Sequence, residues 1–178
     1  LNLGEYITEI PIFEKTDGDR TWYSGVFNHA PLEKLVFYPS VKKFSSDVVV
    51  KNLVFKGTVE QFLSIENPKE NETSVDYNWI QDDNLYFEDL SLVIEGLVGE
   101  VLEIPEGITK IYSHQLYYIK NGHPELTTII LPKSLETLCE NAFNPEDFTN
   151  IYYRGSESDW GNVDQKNNIT PTEYDYAE

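Results

Sequence analysis

The feature that most limits what this chain can fold into is that it repeats itself. Ile104-Pro105-Glu106-Gly107-Ile108-Thr109-Lys110-Ile111 aligns position for position with Leu131-Pro132-Lys133-Ser134-Leu135-Glu136-Thr137-Leu138, at an offset of 27. Apolar residues recur at Ile104/Leu131, Ile108/Leu135 and Ile111/Leu138, and Leu102 precedes the first unit as Ile129 precedes the second. A longer echo joins the halves. Leu32, Leu35, Phe37, Val41 and Phe44 match Leu126, Ile129, Leu131, Leu135 and Leu138 at an offset of 94. Phe55-Lys56-Gly57-Thr58 and Phe62 then match Tyr153-Arg154-Gly155-Ser156 and Trp160 at an offset of 98. One such unit cannot bury its apolar side alone. Stacked on its neighbours, it forms a continuous core.

Each unit has a local reading. Leu126-x-x-Ile129-x-Leu131 alternates over its last three residues, as a half-buried strand does. Pro132 then ends ladder pairing for want of an amide hydrogen. Leu135 and Leu138 return apolar side chains to the core, and Ala142-Phe143 adds an anchor with counterparts Val26-Phe27 and Gln115-Leu116. Thr58-x-x-Gln61 and Ser156-x-x-Asp159 have the spacing of capping boxes. About two helical turns are therefore predicted over 58–65 and 156–163, with Phe62 and Trp160 buried. Residues 85–104 are apolar but fit no single strand register. The chain reads as one α/β repeat solenoid over 1–178. Repeat blocks cover 22–66 and 85–163, residues 67–84 form a polar excursion, and 1–21 form a cap or degenerate coil. Strands centred on Val36, Val54, Ile130 and Tyr152 should stack as neighbours in mainly parallel sheet, with little helix elsewhere.

These same phrases, with Glu140-Asn141-Ala142-Phe143 and the run from Ile151 to Trp160, resemble the BspA-type leucine-rich repeats of bacterial surface proteins. They are similar to that family's "IPEGVTSI", "LTSVTIP", "ENAF" and "VYYKGTEEEW" phrases, and the likeness extends from about Trp22 to Val163. Gln115-Leu116 departs from the usual Ala-Phe, and the family's "GCSSL" phrase is missing. The resemblance implies right-handed leucine-rich-repeat coils with a mostly parallel sheet face and short helical turns. It also implies export to the cell surface or outside the cell, and adhesion to host or microbial surfaces. No catalytic residues belong to the family, so none is assigned here.

Charge narrows the partners. Thirteen Lys and Arg face 31 Asp and Glu, for a net charge of −18, a field that repels nucleic acid and anionic lipid. No run approaches the roughly 18 apolar residues of a membrane span, so neither nucleic acid nor membrane insertion is expected. The chain opens on Leu1 rather than methionine, the pattern of a mature or excised form. Cys139, the only cysteine, excludes an internal disulfide and reads as a small buried filler. His29, His114 and His123 are too scattered for a metal motif, and the resemblance puts all three in solvated turns. Asp17-Gly18-Asp19 and Asp82-Asp83 lack the remaining ligands of a calcium loop. Asn71-Glu72-Thr73 and Asn168-Ile169-Thr170 are glycosylation sequons that matter only outside bacteria. No metal and no cofactor is expected.

One pattern bears on binding. With Leu35, Leu53, Ile129 and Ile151 facing inward, Val36, Val54, Ile130 and Tyr152 face outward, beside Glu103. An apolar outward stripe suggests contact with a protein or glycan ligand, or with a second copy. β-branched residues also suit strands for backbone reasons. The leading functional reading is a non-catalytic binding and adhesion module. The alternative is a structural spacer that displays another domain, and an acid-dependent hydrolase comes third.

Overall fold

The computed structural model describes residues 1–10, 12–17, 20–25, 32–44, 50–65, 91–165 and 169–177. The excursion at 67–84, His29, Val26-Phe27, Gly18-Asp19, Asp82-Asp83, the Asn71 sequon and Asn168 lie outside the described residues. In chain order the strands are β1 (Glu9–Ile10), β2 (Ile12–Asp17), β3 (Arg20–Gly25), β4 (Leu32–Phe37), β5 (Lys43–Phe44) and β6 (Val50–Phe55). Then come α1 (Val59–Leu63), β7 (Ser91–Ile94), β8 (Val101–Glu103), β9 (Lys110–Ile111) and α2 (Gln115–Gly122). The rest are β10 (Thr128–Leu131), β11 (Thr137–Leu138), a 3-10 turn (Pro145–Asp147), β12 (Asn150–Tyr153), α3 (Glu157–Trp160) and β13 (Asp164–Gln165).

Parallel pairing dominates, in small sheets linked by a few short helices. Three sheets have the orders β4-β6-β7, β8-β10-β12 and β9-β11-β13, all parallel, and β1 pairs in parallel with β5. This arrangement is compatible with a leucine-rich-repeat-like fold. β4 and β6 are neighbours, as are β10 and β12, but the two pairs lie in separate sheets rather than in one. An antiparallel hairpin, β2-β3, joins Ile12 to Gly25 and Asp17 to Arg20, and it spans the 21/22 division drawn from sequence.

The repeat offset reappears as strand register. Leu102 pairs with Ile129, Glu103 with Ile130, Lys110 with Thr137 and Ile111 with Leu138, all 27 apart. The turns are tied at the same interval or one residue more. The Glu106 carboxylate accepts from the Lys133 and Ser134 amides at 3.0 and 3.2 Å, and the Gly107 amide donates to Ser134 Oγ at 2.8 Å. Between β10 and β12 the step is 22, against 18 between β4 and β6. That four-residue difference is the drift from 94 to 98 seen in the sequence.

Alternation sets the core. Leu35, Phe37, Leu53, Phe55, Leu92, Ile94, Leu102, Ile104, Ile129 and Leu131 are all fully buried. Each of the two capped helices lays an aromatic ring on this wall. Phe62 packs edge-on to Phe55 at 5.7 Å, and Trp160 edge-on to Tyr153 at 5.0 Å. Both capping boxes form, Thr58 with Gln61 and Ser156 with Asp159. The Ser156 amide and hydroxyl, with Lys133, hold the Asp159 carboxyl below the usual carboxylate range. The helices are shorter than the two turns the spacing predicts, at five and four residues, and Ile65 and Val163 follow in turns.

A longer helix, α2, departs from the sequence reading. Gln115, Leu116, Tyr118 and Ile119 are its buried residues, a spacing that gives one apolar stripe. It packs against β7, and the approach is close at its last turn. A Cβ on Gly122 would lie 2.1 Å from the Leu92 carbonyl oxygen. The next residue corrects the assignment of histidines to solvated turns. His123 is buried, and its Nε2 accepts from the Ile94 amide at 2.9 Å. That bond fixes the ring proton on Nδ1, which faces Glu125 Oε1 at 3.2 Å. The Glu125 carboxyl is held low by its own backbone amide and by this ring. His114 is half-buried at φ +62 and stacks on Tyr118 at 5.9 Å. Cys139 is likewise half-buried rather than a sealed core filler.

His123→Leu leaves the buried Ile94 amide without its acceptor, and should destabilise the protein by about 1–3 kcal/mol. Urea unfolding with amide exchange at Ile94 measures it. An unchanged midpoint with Ile94 still protected would show that the imidazole is not what holds this edge.

Candidate binding faces

The outward side chains form cross-strand rows, because parallel register places like positions side by side. On the β4-β6-β7 sheet one row is Lys34, Asn52 and Ser91, in which Ser91 Oγ donates to Asn52 Oδ1 at 3.1 Å. The next row is Val36, Val54 and Val93, all half-buried. Beyond it Lys56 and Glu95 form an ion pair. This face is therefore a short apolar strip between two polar rows. Its β4 edge is occupied by the first residues of the chain. The Val36 amide donates to the Leu1 carbonyl at 2.8 Å, and the Leu3 amide donates to the Val36 carbonyl at 3.0 Å.

The β8-β10-β12 sheet differs. Its corresponding row is Glu103, Ile130 and Tyr152. Ile130 is only 3% exposed, which corrects its assignment as an open outward residue. Two long-range contacts join the residues flanking it in this row. Arg154 Nη2 meets Glu103 Oε1 at 2.7 Å, and since β10 lies between β8 and β12 this ion pair crosses over β10 beside Ile130. Tyr176 stacks on Tyr152 with centroids 4.4 Å apart and planes 13° from parallel. Below that row, Asn150 Nδ2 donates to Thr128 Oγ1 at 3.2 Å.

Of the four outward residues read from sequence, Val36 and Val54 lie together on one sheet, and Ile130 and Tyr152 together on another. Val93 completes the first row and is missing from the sequence reading. Its signal is a triplet: Leu35-Val36-Phe37, Leu53-Val54-Phe55 and Leu92-Val93-Ile94. Among the described residues no three His, Cys, Asp or Glu side chains are grouped to hold a metal ion. None of the described helices is long and apolar enough to cross a membrane.

No family profile matches the chain, and no curated protein matches it. Among solved structures the chain is similar to a leucine rich cell surface protein from Faecalibacterium prausnitzii, at 17% identity and a TM-score of 0.28. That likeness covers 79% of this chain and 39% of the other, so the chain spans about two fifths of that protein's length.

Proposed function

We propose that this chain is a BspA-type leucine-rich-repeat module, a right-handed solenoid segment of an exported bacterial surface protein. In this reading it binds a protein or glycan ligand at the cell surface and performs no catalysis. The family phrases from Ile104 to Trp160 and the 27-residue strand register support the first part. The observation that carries binding is the row Val36, Val54 and Val93. A chain with 31 acidic residues has ample polar side chains for exposed strand positions. Here it sets three valines in register on one face, bounded on both sides by polar groups. Covering them gains about 25 cal/mol per Å² of apolar surface, enough for a modest interface once the polar rim is matched.

The experiment is a glycan and protein array probed with the wild-type chain and with a Val54→Lys/Val93→Lys variant of unchanged circular dichroism. The variant should lose the wild-type ligands. If it retains every one of them, the valine row is strand propensity alone. The spacer reading has its own support in the covered state of Ile130 and Tyr152, and an array with no ligand at all would favour it.

A further inference from the structure

The edge of β12 is filled by a segment of the same chain, and the way it is held points to exchange. Thr172 donates its amide to the Ile151 carbonyl at 2.6 Å, and the Tyr153 amide donates to the Glu173 carbonyl at 3.0 Å. The Asp175 amide reaches the Gly155 carbonyl at 2.9 Å, and the Tyr176 amide reaches the Tyr153 carbonyl at 3.1 Å. Tyr176 then lies flat on Tyr152. The contact is a single parallel bridge between Glu173 and Tyr152, flanked by these backbone bonds and fixed in register by the stacked ring.

We propose that residues 171–176 form an exchangeable strap: the β12 edge that takes them from its own chain also takes them from a second copy. Three observations make the strap releasable. The Ile151 amide is met by the Thr172 hydroxyl at 3.0 Å rather than by a backbone carbonyl. Asp175 stands at φ +52, a left-handed conformation that interrupts the extended run. Thr172, Glu173 and Asp175 are exposed, Tyr174 and Tyr176 are half-buried, and within the strap only Pro171 is buried. Tyr174 packs against the core, so opening starts at the exposed Thr172, Glu173 and Asp175, which bury little apolar surface.

The chain just before the strap is fixed. Ile169 is buried, its carbonyl accepts from the Trp160 indole at 3.1 Å and from Gln165 Nε2 at 3.1 Å, and its amide donates to Gln165 Oε1 at 3.1 Å. The hinge is therefore the exposed Thr170, which the following proline keeps extended. The second copy is the occupant because the edge already matches this sequence atom by atom, and exchanging an identical element is a low-cost route to a dimer. A short tether gives the strap an effective concentration on the order of 1 mM within its own chain. Exchange thus grows as copies are crowded to that level. It also grows with salt, since Glu173 and Asp175 must approach another chain of charge −18.

The test uses the wild-type protein. Equal amounts of unlabelled and nitrogen-15-labelled chain are equilibrated at ~1 mM total chain and ~0.5 M salt. They are then photo-oxidised so that touching tyrosines couple, and the Tyr152–Tyr176 cross-linked peptides are weighed. Random pairing in fully exchanged dimers makes about half of these cross-links mixed in isotope, a fraction that falls when the mixture is diluted about a hundredfold before oxidation. Mixed cross-links no more frequent than those between Tyr38 and Tyr152 would overturn the proposal. So would the absence of any Tyr152–Tyr176 cross-link.

Discussion

Replacing Trp160 with Ala is expected to lower the free energy of unfolding by about 3–5 kcal/mol, the range for a buried aromatic. The indole is 6% exposed, packs edge-on to Tyr153, and donates Nε1–H to the Ile169 carbonyl at 3.1 Å. Ala removes the ring, the aromatic contact and the hydrogen bond together. It also leaves the Ile169 carbonyl without the indole donor at the start of the segment that reaches β12. Trp160→Phe keeps most of the packing and loses the indole bond, so its cost should be smaller, about 1–2 kcal/mol. Urea midpoints at constant slope separate the two variants. A loss below about 1 kcal/mol for Trp160→Ala would mean that the ring is not part of the core.

Gly122→Ala should produce the second large effect, and with a sign opposite to helix propensity. Alanine in place of glycine ordinarily favours a helix by about 1 kcal/mol. Here the added Cβ would meet the Leu92 carbonyl oxygen at 2.1 Å and the Leu92 carbonyl carbon at 2.4 Å. Both are backbone atoms of β7 and cannot rotate away. Relief requires α2 to lift from the strand, which pulls on the bond between the His123 ring and the Ile94 amide. The expected result is a net loss of about 3 kcal/mol, the upper part of the range for overpacking. Gly161→Ala is the matched control. Its φ is −61, and the nearest atom to the new Cβ is at 3.5 Å, so stability should hold or rise. Equal behaviour of the two variants would show that the α2–β7 contact is looser than 2.1 Å implies.

The parts of this fold that the sequence announced are those carried by local pattern. The inward Leu35, Leu53, Ile129 and Ile151 are buried where alternation puts them. The 27-residue offset is the strand register, and both capping boxes close. What was not legible depends on partners distant in sequence. Ile130 looks like any outward strand residue until Arg154 and Glu103, 51 residues apart, meet across it. Tyr152 looks open until Tyr176 lies on it. His123 carries no sign of burial in its neighbours; its role comes from an amide 29 residues earlier. The helix α2 was hidden for another reason. Gln115-Leu116 occupies the place of Ala142-Phe143 in the repeat, and matching by repeat position overrode the helical spacing of Leu116 and Ile119.

The unequal steps between paired strands also set an order of assembly. In the described sheets, ladder contacts close chain intervals of 18 residues for β4 with β6, 22 for β10 with β12, and 27 for β8 with β10. β1 with β5 closes 34, and β6 with β7, the longest of the described pairs, must close 39. Loop-closure entropy rises with the logarithm of the interval, so that step costs about 0.7 kcal/mol more than the 18-residue step. Short intervals of similar length favour zipping from neighbour to neighbour, with fast early pairing. Folding should therefore start separately in β4-β6 and in β8-β10-β12. The two nuclei join late, when β7 takes its place between β6 and the end of α2, and the Ile94 amide finds His123.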